Sequence, residues 1–210
     1  MRIGELSRRS GVSVPTIKYY VRERMLPEGE RTAANQVSYS EEHLRRLRLI
    51  RGLIDVGGLP VSTVREVLAE IDRPDPSTRR AVITAHKGLA VPTGGSTDRL
   101  REDAWHVVES VFAERGWTHD EDNPGVPALV EVLARLRLLD QDGFVDRIGR
   151  YAEAAELIAE VDIDFLSSRA DATDAVESAV LGTVLGDVAI AALRRIAQQE
   201  MFNRSSRKDC

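Results

Sequence analysis

The first twenty-one residues constrain the fold most. Arg2 to Val21 reads RIGELSRRSGVSVPTIKYYV. Ile3 and Leu6 fall on the inward side of a helix predicted over residues 3–10, and Arg8 and Arg9 on its outward side. Gly11 supplies the stop, because glycine enters the left-handed conformation that ends helices without a Cβ clash. Ser13 stands as an N-cap, and Pro15 sits in the first turn of a second helix, where its missing N–H does no harm. Val14, Ile17, Tyr20 and Val21 then recur at helical spacing. Two short helices about a glycine turn, the second carrying Lys18, Tyr19 and Tyr20, form the layout of a helix-turn-helix DNA-binding unit.

The continuation narrows the architecture. Leu26-Pro27 closes the unit, and EGERTAANQVSY over residues 28–39 predicts a small hairpin with Asn35-Gln36 near its tip. Ser40-Glu41-Glu42 caps a helix through about Val56, striped by Leu44, Leu47, Ile50, Leu53 and Ile54 and ended by Gly57-Gly58. Another helix runs from Pro60 to Ile71, followed by a linker at Asp72–Ser77 and a helix of about a dozen residues to Leu89. Pro92 and Gly94-Gly95 interrupt the chain there, and every periodic segment after Asp98 is helical: 100–114, 126–139, 144–160 and 174–202. The expectation is a mainly α chain: a winged helix-turn-helix with a small β-hairpin over residues 1–71, then a linker with a short helix over 72–97. An all-helical domain over 98–202 and a frayed tail over 203–210 complete it.

Charge is divided in the same way. Residues 1–71 hold 12 Lys/Arg against 9 Asp/Glu, whereas residues 72–210 hold 17 against 25. A basic head that meets an anion and an acidic body that does not is the implied division of labour. One cysteine, Cys210, allows no internal disulfide, which suits a reducing cytoplasm. The apolar window from Ala175 to Leu193 contains Glu177 and Asp187 and is expected to be a buried helix rather than a membrane span.

IGEL-x-RR-x-GVSV-x-TIKYY, LP-x-GERT and VSYSEEHLRRLRLI together resemble the DNA-binding half of the MerR family of transcription regulators, in unbroken order over roughly residues 1–71. The resemblance implies a homodimer on a pseudo-palindromic promoter operator, distorting an overlong spacer so that RNA polymerase can engage. It also implies phosphate contacts from Arg31, Asn35 and Tyr39 in the wing. The residues read by themselves agree: Thr16, Lys18, Tyr19 and Arg22 lie on or near the exposed side of the second helix, which can enter a major groove. Ammonium and guanidinium groups neutralise phosphates, and the hydroxyls of Ser13, Thr16 and Tyr19 bond phosphates or base edges. His43, Arg46 and Arg51 are expected to continue a basic surface along the next helix. For Arg8, Arg9, Arg45 and Arg48 a solvated helix face and a DNA contact are equally open, and Tyr20 is expected in the core. Pro15 departs from the basic or polar residue many members carry, and Val37 from a common wing arginine, so sequence preference is expected to differ at those places.

The second half has fewer signals. Metal-sensing members use cysteines between linker and C-terminal loop; this chain has none there, and His86, His106 and His119 are scattered, so no metal or other cofactor is expected. GxSxG, a nucleotide-binding glycine loop and a cysteine beside a base are all missing, which argues against an enzyme. Asp140–Gly143 lacks the first carboxylate of a calcium loop and is expected to be a helix connection. Trp105, Phe112 and Trp117 cluster with His106 and Glu109 in an aromatic-poor chain. Two readings stay open for them: the lining of a cavity for a small organic effector, or core packing. A buried cavity there favours a sensor, and an exposed apolar patch favours a protein-interaction module. Val176, Val180, Val184, Val188, Ala192 and Ile196 recur about every four residues and make the 174–202 helix the expected dimer contact, ahead of the short 77–89 helix.

Overall fold

The computed structural model describes residues 1–33, 36–89, 96–120, 123–167 and 172–208. The chain divides into two compact units, Met1–Ala85 together with Val176–Cys210, and His86–Ala175. The last helix, expected within the 98–202 domain, therefore clusters with the N-terminal head.

In the first unit, α1 (Ile3–Ser10) ends at Gly11, whose φ of 69° is the left-handed value a Cβ would resist. α2 spans Val14–Arg22. β1 (Glu30–Ala33) and β2 (Gln36–Ser38) pair antiparallel with Arg31 opposite Val37, and the register shifts between Arg31 and Ala33. α3 (Glu41–Arg51) runs into a π-helical turn, Gly52–Val56, so the helix expected through Val56 changes its winding after Arg51. α4 covers Val61–Ile71. Leu6, Ile17, Leu44, Leu47, Ile50, Leu53, Val64 and Val67 are fully buried, one apolar stripe from each helix of the head. At about 1.5–3 kcal/mol for each large aliphatic side chain, this core is what holds the short helices in place. Glu70 then anchors the linker: it accepts from Ser77 N–H at 3.1 Å and from Arg80 Nε at 2.8 Å. Burial pushes its carboxyl up, but the hydrogen bonds from Arg80 and Ser77 leave it below the ordinary value. α5 follows at Thr78–Gly88.

α10 (Ala172–Lys208) is 37 residues long and continues through most of the segment expected to fray. Val176, Val180 and Val184 are buried, and Arg45 Nη2 of α3 meets Glu177 at 2.8 Å. At Gly57 the helix comes so close that a Cβ would stand 2.0 Å from Val184 Cγ1. Burial stops there. Val188, Leu193, Ile196 and Phe202 are 43%, 59%, 66% and 70% exposed, so the expectation of a buried helix holds only for its first part. By length and composition α10 is also apolar enough to cross a membrane, yet the stripe to Val184 is already occupied by the head.

The second unit is built on α6 (Asp98–Arg115) and α7 (Gly125–Leu138). Thr97 caps α6 by accepting Leu100 N–H at 3.4 Å, and Gly116 ends it. Ala104, Val108, Val126, Leu133, Ala134 and Val145 form the core, small enough to let the helices approach. The segment expected as one helix over 144–160 breaks at Asp146-Arg147 into α8 (Asp142–Val145) and α9 (Ile148–Ser167). Glu131 is 2% exposed and is satisfied by Ser96 Oγ, Arg101 Nε and Arg135 Nε at 3.1, 3.3 and 2.8 Å. The Arg135 hydrogen bond pulls its carboxyl down, against burial, with help from Ser96 and Arg101.

Candidate nucleic-acid interface

Ser13 sets the start of α2. Its Oγ accepts Thr16 N–H at 3.2 Å and lies 2.7 Å from Thr16 Oγ1, so both hydroxyls sit at the N-terminal end of the helix. Ile17 and Tyr20 are buried on the opposite stripe, as helical phase required of Tyr20. Burial pushes the Tyr20 phenol up, so it stays neutral. Lys18 and Arg22 are exposed and Tyr19 half-buried on the outer face. The Arg22 guanidinium carbon stands 5.3 Å from the Tyr19 ring centre, and Arg22 Nε is 3.6 Å from Glu23. That cation–π contact holds two of the expected DNA-facing side chains together on one turn.

The wing is fastened to the first residue. Met1 N donates to Tyr39 O at 2.6 Å and Tyr39 N–H donates to Met1 O at 2.8 Å. No sequence signal announced that pairing, because backbone bonds leave no residue preference at position 1. Arg31 is exposed on β1. Asn35 lies outside the described residues. Tyr39 is 9% exposed, and its ring meets the His43 ring edge-on at 5.2 Å. His43 works as a cap: its Nδ1 accepts Ser40 N–H at 3.1 Å and lies 2.8 Å from Ser40 Oγ. The tautomer that accepts at Nδ1 carries its hydrogen on Nε2, which is buried with no acceptor among the described residues.

Arg46 departs from expectation. It is 8% exposed, and its guanidinium donates to Met25 O at 3.0 Å, Leu68 O at 3.4 Å and Asp72 Oδ2 at 2.5 Å. It ties α3 to the end of α2 and to the C-terminus of α4, where carbonyls attract a cation. A basic residue on α3 was read as surface because its neighbours Arg45 and Arg48 are; phase alone separated them. Arg9 is held bidentately by Glu41 at 2.5 and 2.8 Å, and Arg51 by Asp55 at 2.6 Å. The Arg9 hydrogen bond pulls the Glu41 carboxyl below its usual range. Lys18 and Arg31, by contrast, make no ion pair among the described residues and face outward.

In the other unit the residues read as ligand-lining separate. Trp105 meets His119 edge-on at 5.3 Å, and Phe112 meets Trp117 edge-on at 5.9 Å. Trp117 Nε1 donates to Glu156 at 3.1 Å and, with Arg115 paired to the same carboxylate, pulls it below the ordinary value. Trp105 and Phe112 also pack on the core, so the aromatics form a half-buried pile. His106 and Glu109 are exposed and 3.2 Å from each other.

Residues 1–71 match the model of the MerR HTH family regulatory proteins. The chain is 35% identical over 78 residues to the mercuric resistance operon regulatory protein of Bacillus cereus, covering 37% of this chain and 58% of that one. It is 44% identical over 50 residues to a ZntR homologue, an HTH-type transcriptional regulator of Haemophilus influenzae, covering 24% and 37%. The chain thus spans between about a third and three-fifths of the length of these two relatives. The crystal structure of SCO5550 from Streptomyces coelicolor A3(2), described as a transcriptional regulator, matches over 97% of both chains at 34% identity and a TM-score of 0.64.

Proposed function

Because this chain belongs to the MerR family of helix-turn-helix regulatory proteins, we propose that it is a DNA-binding transcriptional regulator, acting in the cytoplasm as a homodimer on a pseudo-palindromic promoter operator, where RNA polymerase is engaged. The observation that carries this reading is the contrast among its cations. Arg9, Arg46 and Arg51 are spent on internal carboxylates, while among the described residues Lys18 on α2 and Arg31 on the wing face outward without an ion pair, as do Arg2, Arg8, Arg24 and Arg48. A capped helix and a hairpin each presenting such a cation suit a major groove and its flanking phosphates. The interface comprises Ser13, Thr16, Lys18, Tyr19, Arg22 and Arg31, with Tyr39 and His43 supporting the wing's base and Arg46 left to the core; Asn35, outside the described residues, is the remaining candidate.

The homodimer uses the exposed part of α10. Val176 to Val184 are consumed by the head, so the seam begins near Val188 and runs through Leu193, Ile196 and Phe202. The second unit senses a small organic effector. The Bacillus cereus relative's name refers to mercury, but a metal sensor needs several soft or imidazole ligands, and this sequence has one cysteine, at position 210. A second reading, a protein-docking body with no small ligand, is favoured by the exposed Leu157, Val161 and Ile163 of α9. Selection from a random duplex pool with the full chain tests the function: a recovered inverted repeat supports it, and recovery of no preferred sequence contradicts it.

A further inference from the structure

A groove of about 490 Å³ runs along one face of α6 and is closed by the end of α7, α8 and the start of α9. Its volume lies in the range that holds small organic ligands. Asp103, Val107, Ser110 and Glu114 follow each other on α6 at spacings of three or four, one continuous stripe. At 1.5 Å per residue that stripe is about 16 Å long. Trp105 and Phe112 sit roughly half a helical turn away from it, so the aromatic pile and the groove use opposite faces.

The lining has a definite polarity. Val107, Val111, Val145 and Ile148 give an apolar floor. At one end Arg137 Nη1 is 3.9 Å from Asp103 Oδ2, and Arg137 Nε is buried with no acceptor among the described residues. At the other end Glu114 takes a hydrogen bond from Ser110 at 3.2 Å and faces Gly149, where an added Cβ would stand 3.8 Å from Glu114 Oε2. Asp146, three residues before Gly149, adds a further carboxylate. The groove therefore carries three carboxylates against one guanidinium and the His106 imidazole, and the guanidinium already leans on one of the carboxylates.

From this we propose that the effector site is the α6 groove rather than the aromatic pile, and that it takes a small organic amine with an apolar body. The ammonium sits against Glu114 and Asp146, and the body lies on the valine floor. An anion of the same shape is repelled. The inference rests on the reading of the second unit as a sensor.

Calorimetry on the full chain tests it, with 2-naphthylmethylamine as probe and 2-naphthylmethanol and 2-naphthoate as neutral and anionic shape matches. The amine should bind about tenfold or more tightly than the naphthoate. Glu114→Gln with Asp146→Asn should weaken the amine about tenfold and leave the naphthoate unweakened. Gly149→Leu, which fills the groove beside Glu114 without removing a charge, should abolish amine binding, with circular dichroism confirming the fold of each variant. Equal affinity for all three probes, insensitivity to these substitutions, or no amine binding in the millimolar range would overturn the site. Affinity for the selected operator, measured with saturating amine, separates the two ideas. A bound amine that leaves operator affinity unchanged upholds the groove and removes ligand control; an intact operator interaction without amine binding removes the groove alone.

Discussion

Lys18 and Arg31 are the side chains on which the DNA-binding reading turns, and they act differently from Arg46 although all three are cations near one another in sequence terms. Removing an exposed phosphate contact weakens binding at every sequence and lowers the salt slope by about one unit. Lys18→Ala and Arg31→Ala should each do so in titrations over a series of salt concentrations, without altering thermal stability. Arg46→Ala should show the reverse pattern, because it strands the Met25 and Leu68 carbonyls and unpairs Asp72. A loss of about 2–3 kcal/mol in denaturant unfolding is expected, with the salt slope of residual binding preserved. Glu131 gives the pH-dependent counterpart in the second unit. Its carboxyl is held below the ordinary value, so its contribution to stability is present above the unfolded carboxylate range near pH 4 and disappears as acid protonates it. The stability gap between the native chain and Glu131→Gln should therefore narrow as pH falls below about 4, read by thermal melts across acid buffers.

Among the elements, α10 changes most between sequence and structure. Its four-residue stripe of valines was legible as an apolar face, but a single helix face does not say which surface covers it. The deciding contact is non-local: Gly57, at the end of the π-helical turn, leaves the space that Val184 fills. Gly57→Ala would drive a methyl into Val184 and toward Leu53 O, at a cost of about 1–3 kcal/mol. Val184→Ala should relieve part of that cost, so the double variant should be less destabilised than the sum of the singles in unfolding measurements. The exposed part of α10 behaves separately. Leu193→Glu with Ile196→Glu should yield folded monomers in sedimentation, since neither residue is core; a persistent dimer would remove this helix as the seam. Cutting the chain before α10 would not be informative, because it also strips Val176, Val180 and Val184 from the head. α1, α2 and the wing were read closely from sequence because caps, the Gly11 turn and strand alternation are local signals. The break between α8 and α9, the inward turn of Arg46 and the split between groove and aromatic pile depend on packing across sequence distance, and no local pattern encodes them.

At the scale of the whole molecule, a head with outward cations on α2 and the wing and a helical body with an acidic groove form a regulator whose parts are physically distinct. The family membership and the head's geometry point to the same task, and the body supplies what differs: no cysteine cluster in the sequence, but a polar groove with an apolar floor. The claim that unites them is that α2 and the wing read duplex DNA in two symmetric halves. Footprinting of the full chain on the duplex it selects tests this most directly. Two protected half-sites related by inverted symmetry, lost together in Lys18→Ala, are the result this structure predicts. Protection no stronger than on an unrelated duplex, or a footprint unchanged by Lys18→Ala and Arg31→Ala alike, would contradict it.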